Sequence, residues 1–145
     1  MNARCRFATV ASVLLVACSG DDTTSSVDLA GTWNVTRYEL VSTTSSPTRV
    51  DLIALGATAQ LVMRSDGTYQ LTMTGTGAQD ETGSGTWSAS SDVVTITRVG
   101  MSGQMQFNYS LSGSTLTLVG ADTEWDFNGD GVDEPAKLNM TAVKG

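Results

Sequence analysis

Apolar and polar side chains alternate with a period of two along most of the chain after residue 26. The clearest run is Gln104–Ser112, where four apolar side chains share one face: Met105, Phe107, Tyr109 and Leu111. Two further runs, at 68–75 and 137–143, alternate in the same way. Successive side chains of a strand point to opposite faces, so this pattern predicts strands of a sheet with one buried and one wet face.

Short turn sequences separate these runs, among them Asp66-Gly67 and Asn128-Gly129. Such pairs supply the positive φ angles that tight hairpins need. The resulting strands lie near 31–41, 58–64, 68–75, 84–90, 93–99, 104–112, 115–120, 123–127 and 137–143. We expect an all-β domain, a small antiparallel up-and-down β-barrel of about eight strands, because closure removes unpaired edges. The segment Val50–Ala57 fits either a short helical turn or a lid-like loop.

The first 17 residues have a different pattern. Arg4 and Arg6 precede an uninterrupted stretch of apolar or small residues, Phe7–Ala17. A basic start followed by a short apolar core is typical of a secretory signal, and the stretch is well short of the ~20 residues that span a membrane. Its ending, Leu15-Val16-Ala17-Cys18, resembles the lipobox of bacterial lipoproteins, which implies cleavage before Cys18 and a lipid on that cysteine. The alternative is an ordinary signal peptide with an incidental cysteine.

The chain therefore divides into a signal peptide (1–17), a flexible tether (18–26) and one barrel domain (27–145). The tether is polar and made of small residues, as a flexible linker should be. We expect the lipid on Cys18 to hold the protein at a membrane of the cell envelope. Ser19 rather than Asp follows the cysteine, which resembles outer-membrane sorting or a periplasm-facing anchor in a Gram-negative host.

Composition excludes several classes of function. The chain has no histidine, so Ser-His-Asp and Cys-His nucleophiles and imidazole metal sites are absent. Loss of Arg4 and Arg6 with the signal changes the formal net charge from −7 to −9, and such an acidic chain repels nucleic acid. Adjacent carboxylates such as Asp80 and Glu81 have no nucleophile near them in sequence. We expect a protein that is not an enzyme.

Several short motifs resemble those of bacterial lipocalin-like domains, which belong to the calycin group of eight-stranded barrels. They are Gly31-Thr32-Trp33 at the first strand, Asp66-Gly67-Thr68-Tyr69 at an early hairpin, Gly85-Thr86-Trp87 in mid-chain and the ending Thr141-Ala142-Val143-Lys144. The resemblance implies that Trp33 packs across the closed end of the barrel near a basic side chain, here Lys144. The repeated Gly-Thr-Trp predicts two equivalent strand entries, with glycine where another backbone or a ring comes close.

The interior of an eight-stranded barrel is just wide enough to be filled by side chains or to hold one small ligand. Thirteen alternating apolar residues are predicted to point inward, including Leu116, Leu118 and Leu138. We assign ten of them to binding a small apolar ligand: Leu61, Met63, Tyr69, Leu71, Met73, Met105, Phe107, Tyr109, Leu111 and Met140. The same residues would also suit a filled core, in a monomeric structural or adaptor lipoprotein that contacts other envelope proteins.

The segment Asp126–Glu134 carries the sharpest local motif. Calcium takes oxygen ligands, and an Asp-x-Asn-x-Asp-Gly run offers side-chain oxygens on alternate residues. The predicted ligands are Asp126, Asn128, Asp130, the Val132 carbonyl and Glu134. The position of the usual bidentate glutamate is Lys137, so the loop is not a complete EF-hand. A calcium loop and a metal-free acidic turn both remain open, and no other cofactor is expected.

Overall fold

The computed structural model describes residues 26–44, 48–75 and 80–145. One short helix, α1 (Ser26–Leu29), precedes the strands β1 (Gly31–Ser42), β2 (Arg49–Asp51), β3 (Thr58–Met63), β4 (Thr68–Thr74), β5 (Glu81–Ser90), β6 (Val93–Arg98), β7 (Met105–Ser112), β8 (Thr115–Trp125) and β9 (Glu134–Lys144). None of the described residues belongs to a helix with the length and apolar character needed to cross a membrane. The predicted signal peptide, the tether up to residue 25 and the lipidation residue Cys18 lie outside the described residues.

The strands form a closed antiparallel barrel. Each strand from β3 to β8 pairs with the next along the chain, and β9 pairs back with β1 over the register Trp33↔Lys144 to Ser42↔Ala136. Eight strands make up the barrel, and β2 adds a short ribbon to the outer half of β1, beyond the part that pairs with β3. The predicted all-β up-and-down barrel is confirmed.

Most strand positions agree with the alternation, with three differences. The segments at 115–120 and 123–127 form one strand, β8, because a bulge at Gly120 lets Ala121 continue the pairing with β9. β5 and β9 begin three residues earlier than expected, at Glu81 and Glu134. The segment 50–57 begins in β2 and continues as a turn, in which the Leu55 amide donates to the Asp51 carbonyl at 3.1 Å and the Gly56 amide to Ile53 at 3.0 Å.

One end of the barrel, called here the base, is sealed by α1 and Trp33. The indole of Trp33 is fully buried, and its N–H donates to the Leu29 carbonyl at 2.9 Å. The Lys144 ammonium lies 5.2 Å from the centre of the Trp33 ring, within range of a cation–π interaction. The contact implied by the family resemblance is therefore present, and it attaches the first strand to the last.

The second Gly-Thr-Trp does not open a strand. Gly85 lies in the middle of β5, where a Cβ would overlap the carbonyl oxygen of Thr97 on β6. The close approach of another backbone, which the sequence predicted, is thus the reason for glycine. Trp87 then turns inward at the base, buried, and its N–H donates to the Arg64 carbonyl at 3.0 Å. The two tryptophans plug the same end from strands that run in opposite directions.

Two β-bulges flank β9, one in β1 between Val35 and Arg37 and one in β8 between Val119 and Ala121. A bulge leaves one residue unpaired. In β8 the free amide, that of Gly120, donates to the Asn139 side-chain oxygen at 3.0 Å. Each bulge also shifts the alternation by one residue, so that apolar side chains face inward on both sides of it.

The carboxylate of Glu39 lies on the outer side of the barrel but is buried by its neighbours, and it connects the two bulged strands through Asn139. The side-chain amide of Asn139 donates to the Glu39 carboxylate at 3.3 Å, and the Arg37 guanidinium donates to it at 2.5 Å. Arg49 of β2 reaches the same carboxylate at 3.5 Å. Burial acts to raise the pKa of Glu39, but the hydrogen bonds from Asn139 and Arg37 and the two arginine charges outweigh it and lower the pKa below its usual value of 4.5.

The Glu39→Gln variant should therefore lose stability in a pH-dependent way. A depressed pKa stabilises the fold at pH values above the unfolded-state pKa, and the effect disappears as pH falls through the folded-state value. We expect Glu39→Gln to lower the free energy of unfolding by about 1–2 kcal/mol at neutral pH, because a charge-assisted network is weakened and Arg37 is partly solvated. Urea denaturation at pH 7 and pH 3 measures this. A difference that does not shrink between pH 7 and pH 3, or an equal loss in the exposed control Glu124→Gln, would contradict it.

Candidate functional site

The end of the barrel opposite the base, called here the mouth, contains an open cavity of about 620 Å³. This volume is typical of small-molecule sites. Its apolar wall combines side chains from β1, β4, β8 and the 52–56 turn: Tyr38, Leu40, Leu52, Leu71, Met73 and Trp125. The polar part of the lining lies beside it in the sheet, where Glu81 and Gly83 of β5 pair with Met73 and Leu71 of β4. Its other members are Asp80, Arg98, Thr123 and Glu124. The arrangement suits a molecule that is mostly apolar and carries a polar group on one side.

The base is filled by large side chains, whereas two inward residues nearer the mouth, on β5 and β8, are small. Trp33, Phe107 and Leu61 are among the fully buried side chains that fill the lower half. Higher in the barrel, β5 contributes Gly83, which is buried yet has no side chain, and β8 contributes Ala121. The barrel is filled at the base and hollow at the mouth.

An ion pair lies in the polar part of the lining. The Arg98 guanidinium contacts the Glu81 carboxylate, and their side chains are 33% and 53% exposed. Both charges act on nearby tyrosines. Burial first, and then the Glu81 charge, raise the pKa of Tyr38 to about 12 against the opposing effect of Arg98. The pKa of Tyr69 is also raised, chiefly by burial. Both phenols are neutral hydrogen-bonding groups at physiological pH.

A second opening of about 540 Å³ adjoins the first and shares four residues with it: Arg98, Met101, Thr123 and Glu124. Four of the five large apolar side chains that are exposed among the described residues belong to mouth loops: Leu55, Val99, Met101 and Val132. The fifth is Val119, on the outside of β8. Most of the exposed large apolar side chains of the described residues therefore lie on the rim of the mouth.

The ten residues assigned to ligand binding lie at different heights in the barrel. Leu71 and Met73 line the main cavity, and Met105 lines the second opening. Leu61, Met63, Tyr69, Phe107 and Met140 are buried in the core, while Tyr109 and Leu111 are half-buried beside it. The structure thus brings all ten into one core cluster but only three to a cavity wall. The 50–57 segment contributes Leu52 to the cavity.

The acidic segment forms the hairpin between β8 and β9 at the mouth. Carboxylate oxygens of Asp126, Asp130 and Glu134 all lie within 4.8 Å of one another. The loop is folded around Asp126, whose carboxylate accepts the amides of Gly129 at 2.6 Å and Gly131 at 2.9 Å. These backbone donors, Gly131 first, lower the pKa of Asp126.

The other predicted ligands join the same loop. The Asn128 side-chain oxygen accepts the Asp130 amide at 2.8 Å, and the Asn128 amide group donates to Glu134 at 2.8 Å. The Val132 amide donates to Asp130, also at 2.8 Å. Lys137, which replaces the usual bidentate glutamate, pairs instead with Asp122 at 2.6 Å. The three carboxylates converge, and each has lone pairs beyond those its hydrogen bonds use.

The alternation alone did not identify Arg98 and Glu81 as residues of the mouth. Glu81 is the first residue of β5 and Arg98 the last of β6, and a charged residue at a strand end usually marks the step from sheet to solvent. A signal was nevertheless present, since Arg98 continues the inward series Val94, Ile96 of β6, and Glu81 continues that of Gly83 and Gly85. Period-two counting that extends through charged residues would have placed both inside.

The comparisons with known proteins agree with this architecture. Residues 29–118, more than half of the chain, match the family described as lipocalin-like domain. The match begins at Leu29 beneath the base and includes β1 to β7 and the start of β8. No curated protein matches the chain. The closed barrel, the Trp33 plug and the matched residues together show that this chain belongs to the lipocalin-like domain family.

Proposed function

We propose that the protein is a membrane-anchored lipoprotein of the cell envelope whose barrel binds a small hydrophobic ligand. The observation that carries this proposal is the cavity of about 620 Å³ at the mouth, above a base filled by side chains. Met73 and Met101 add flexible, polarisable surface, which suits ligands of varied shape. We propose binding without catalysis, consistent with a chain that has no histidine. We also propose a monomeric state.

An adaptor role is the second candidate. In it the barrel is a scaffold, and its outer face or rim contacts another envelope protein. The exposed apolar side chains of the mouth loops, Leu55, Val99, Met101 and Val132, favour it. The same side chains also suit the entrance of a ligand site. The two roles differ in whether a small molecule occupies the mouth.

Native mass spectrometry of the protein purified from its own host should show retained apolar mass. The inward variant Thr123→Trp should fill the mouth and remove that mass, because Thr123 lines both openings. The control Val119→Trp adds the same bulk on the outside of the same strand and should retain it. Empty wild-type protein across several preparations would favour the adaptor role instead.

Anchoring is proposed to depend on one of the two cysteines of the chain. Cys18→Ser should lose incorporation of labelled fatty acid and move from the membrane fraction to the soluble fraction. Cys5→Ser, which alters only the segment proposed to be removed, should behave as wild type. Lipid labelling or membrane retention of the Cys18→Ser protein would contradict the proposal.

We also propose that the loop Asp126–Glu134 binds Ca²⁺ weakly. Its support is the convergence of three carboxylates within 4.8 Å, since a divalent cation would relieve their mutual repulsion. The bidentate glutamate is replaced by Lys137, so we expect a Kd on the order of 10⁻⁴–10⁻³ M, as in extracellular modules.

At ~10 mM Ca²⁺ this affinity should stabilise the native state by about 1.5–3 kcal/mol, which raises Tm by several degrees. Mg²⁺ should do less, because it demands stricter geometry and dehydrates reluctantly. Asp130→Ala should abolish the calcium-specific shift, and Asp133→Ala, which removes a neighbouring carboxylate outside the converging set, should keep it. An equal response of Tm to Ca²⁺, Mg²⁺ and matched ionic strength would identify the loop as a metal-free acidic turn.

A further inference from the structure

The barrel wall is split between β7 and β8 on the side of the mouth. These two strands pair only from Asn108↔Val119 to Ser112↔Thr115. After the bulge at Gly120, the residues 121–125 of β8 pair with β9, and among the described residues no strand pairs with them on the other side. The second opening lies in this split and is called here the lateral cleft. Successive residues line both of its sides, 102–105 and 122–124, as is typical of exposed strand edges.

The backbone groups of β8 that face the lateral cleft follow from the pairing on its other side. The Thr43 amide donates to the Pro135 carbonyl at 3.0 Å, so the backbone of Pro135 points towards β1. Glu124 lies opposite Pro135, and in an antiparallel pair its own N–H and C=O therefore point away from β9. The same alternation applies to Asp122, which lies opposite Lys137. The amides and carbonyls of Asp122 and Glu124 thus form a strand edge that faces the cleft.

The charge of the lateral cleft is negative. Three carboxylates line it, those of Asp122, Glu124 and Asp133, and Arg98 is the one cation among the described residues that line it. Arg98 is already paired with Glu81, and Asp122 with Lys137. Among the described residues, Glu124 and Asp133 have no ion-pair partner. An added strand that carries positive charge is therefore favoured, and a second copy of this acidic edge is repelled.

The interior of the lateral cleft is apolar. Ile96, Met101 and Met105 line it on the side of β6 and β7. On β8, Thr123 is half-buried and shares the inner face with Ala121 and Trp125, whereas Asp122 and Glu124 are exposed. Side chains of directly paired residues lie on the same face of a sheet. A strand added to this edge would therefore place basic side chains outside, beside the carboxylates, and apolar side chains inside.

We propose that the lateral cleft binds an extended, basic segment of another protein, which adds to β8 as a further strand. The unpaired backbone of Asp122 and Glu124 supplies the hydrogen bonds, and their carboxylates with that of Asp133 select the charge. The edge of five residues is about 16 Å long and accommodates a segment of about five residues. This interaction does not require a small molecule in the main cavity, and it provides a contact surface for the adaptor role.

Three capped hexapeptides test the charge and the strand addition with the full mature protein. A fluorescent alternating Lys-Val peptide should bind, with an affinity that falls as salt is raised. An alternating Glu-Val peptide of equal length and similar β propensity should bind at least about tenfold more weakly, because it meets the carboxylates as like charges. The Lys-Lys-Lys-Val-Val-Val peptide, with the same composition but no alternation, should also bind more weakly. Fluorescence anisotropy measures all three.

Two N-methylated forms of the Lys-Val peptide separate strand addition from simple attraction of charges. Methylation of the lysine amides blocks antiparallel addition, and methylation of the valine amides blocks parallel addition, because each set faces β8 in only one orientation. One form should therefore lose at least about tenfold in affinity while the other keeps binding. Equal affinities of the two forms would overturn the proposal, since both have the same charge and composition.

Amide exchange measured by NMR locates the contact. In the free protein the amides of Asp122 and Glu124 should exchange rapidly, whereas that of Thr123 is protected by its pairing with Ala136. Saturation with the Lys-Val peptide should slow exchange at Asp122 and Glu124 at least about tenfold. Protection elsewhere, for example at the three-residue edge strand β2, without protection of these two amides would overturn the proposal.

Substitutions of Glu124 separate its charge from its amide. Glu124→Gln should weaken binding by up to about fivefold, as for an exposed ion pair. Glu124→Pro also removes the N–H that faces the cleft, leaves the pairing with β9 intact and should weaken binding by a further 2- to 10-fold, about the effect of one hydrogen bond. Asp92→Asn, which removes an exposed carboxylate at the base, is the control and should bind as wild type does.

The remaining outcomes also decide. If Glu124→Pro does not fold by circular dichroism, the N-methylated peptides and the exchange pattern still test the edge. Equal binding of the Lys-Val and Glu-Val peptides, or no binding of any peptide, would overturn the proposal. Either result would leave the small-ligand function untouched, because apolar mass retained in the main cavity is measured separately.

Discussion

The barrel depends on the pairing of β1 with β9, because this contact converts an open sheet into a closed one. Trp33 and Lys144 connect the two strands at the base. Further up, Glu39 and Asn139 connect them on the outside, where Asn139 also satisfies the bulged amide of Gly120. A buried carboxylate is tolerable there only because an amide and two arginines surround it. This outer network therefore lies where the two bulges shift the alternation of inward and outward side chains by one residue.

The division into a filled base and a hollow mouth follows from the distribution of side-chain size. Trp33 and Phe107 are fully buried in the filled part. Gly83 has no side chain and Ala121 has only a methyl group, and space remains nearer the mouth. The mouth also gathers the Arg98–Glu81 pair, the acidic hairpin and the exposed apolar loops. The charged and exposed groups are consequently concentrated at the mouth, and the packed core lies towards the base.

The sequence predicted the fold well because a barrel strand repeats one rule, inward and outward in turn. It placed thirteen alternating apolar side chains on the inner face, and Phe107 and Leu61 among them are buried. It could not give height along the axis, since that depends on strand tilt and register, which involve partners distant in sequence. Leu71 reaches the cavity and Leu61, its direct neighbour in the sheet, does not. The bulge at Gly120 was missed because it breaks the period-two alternation, which reads as the end of a strand, while β8 continues to pair with β9.

The glycines on the inner face of β5 have an evolutionary consequence. Gly85 is held by the backbone of β6 and has almost no freedom to change. Gly83 meets only the flexible end of the Arg98 side chain. Substitutions at Gly83 can therefore reshape the cavity while the base keeps its packing. A lineage carrying this barrel could acquire a new ligand by exchanging a few mouth residues, with folding left to the other half of the same strands.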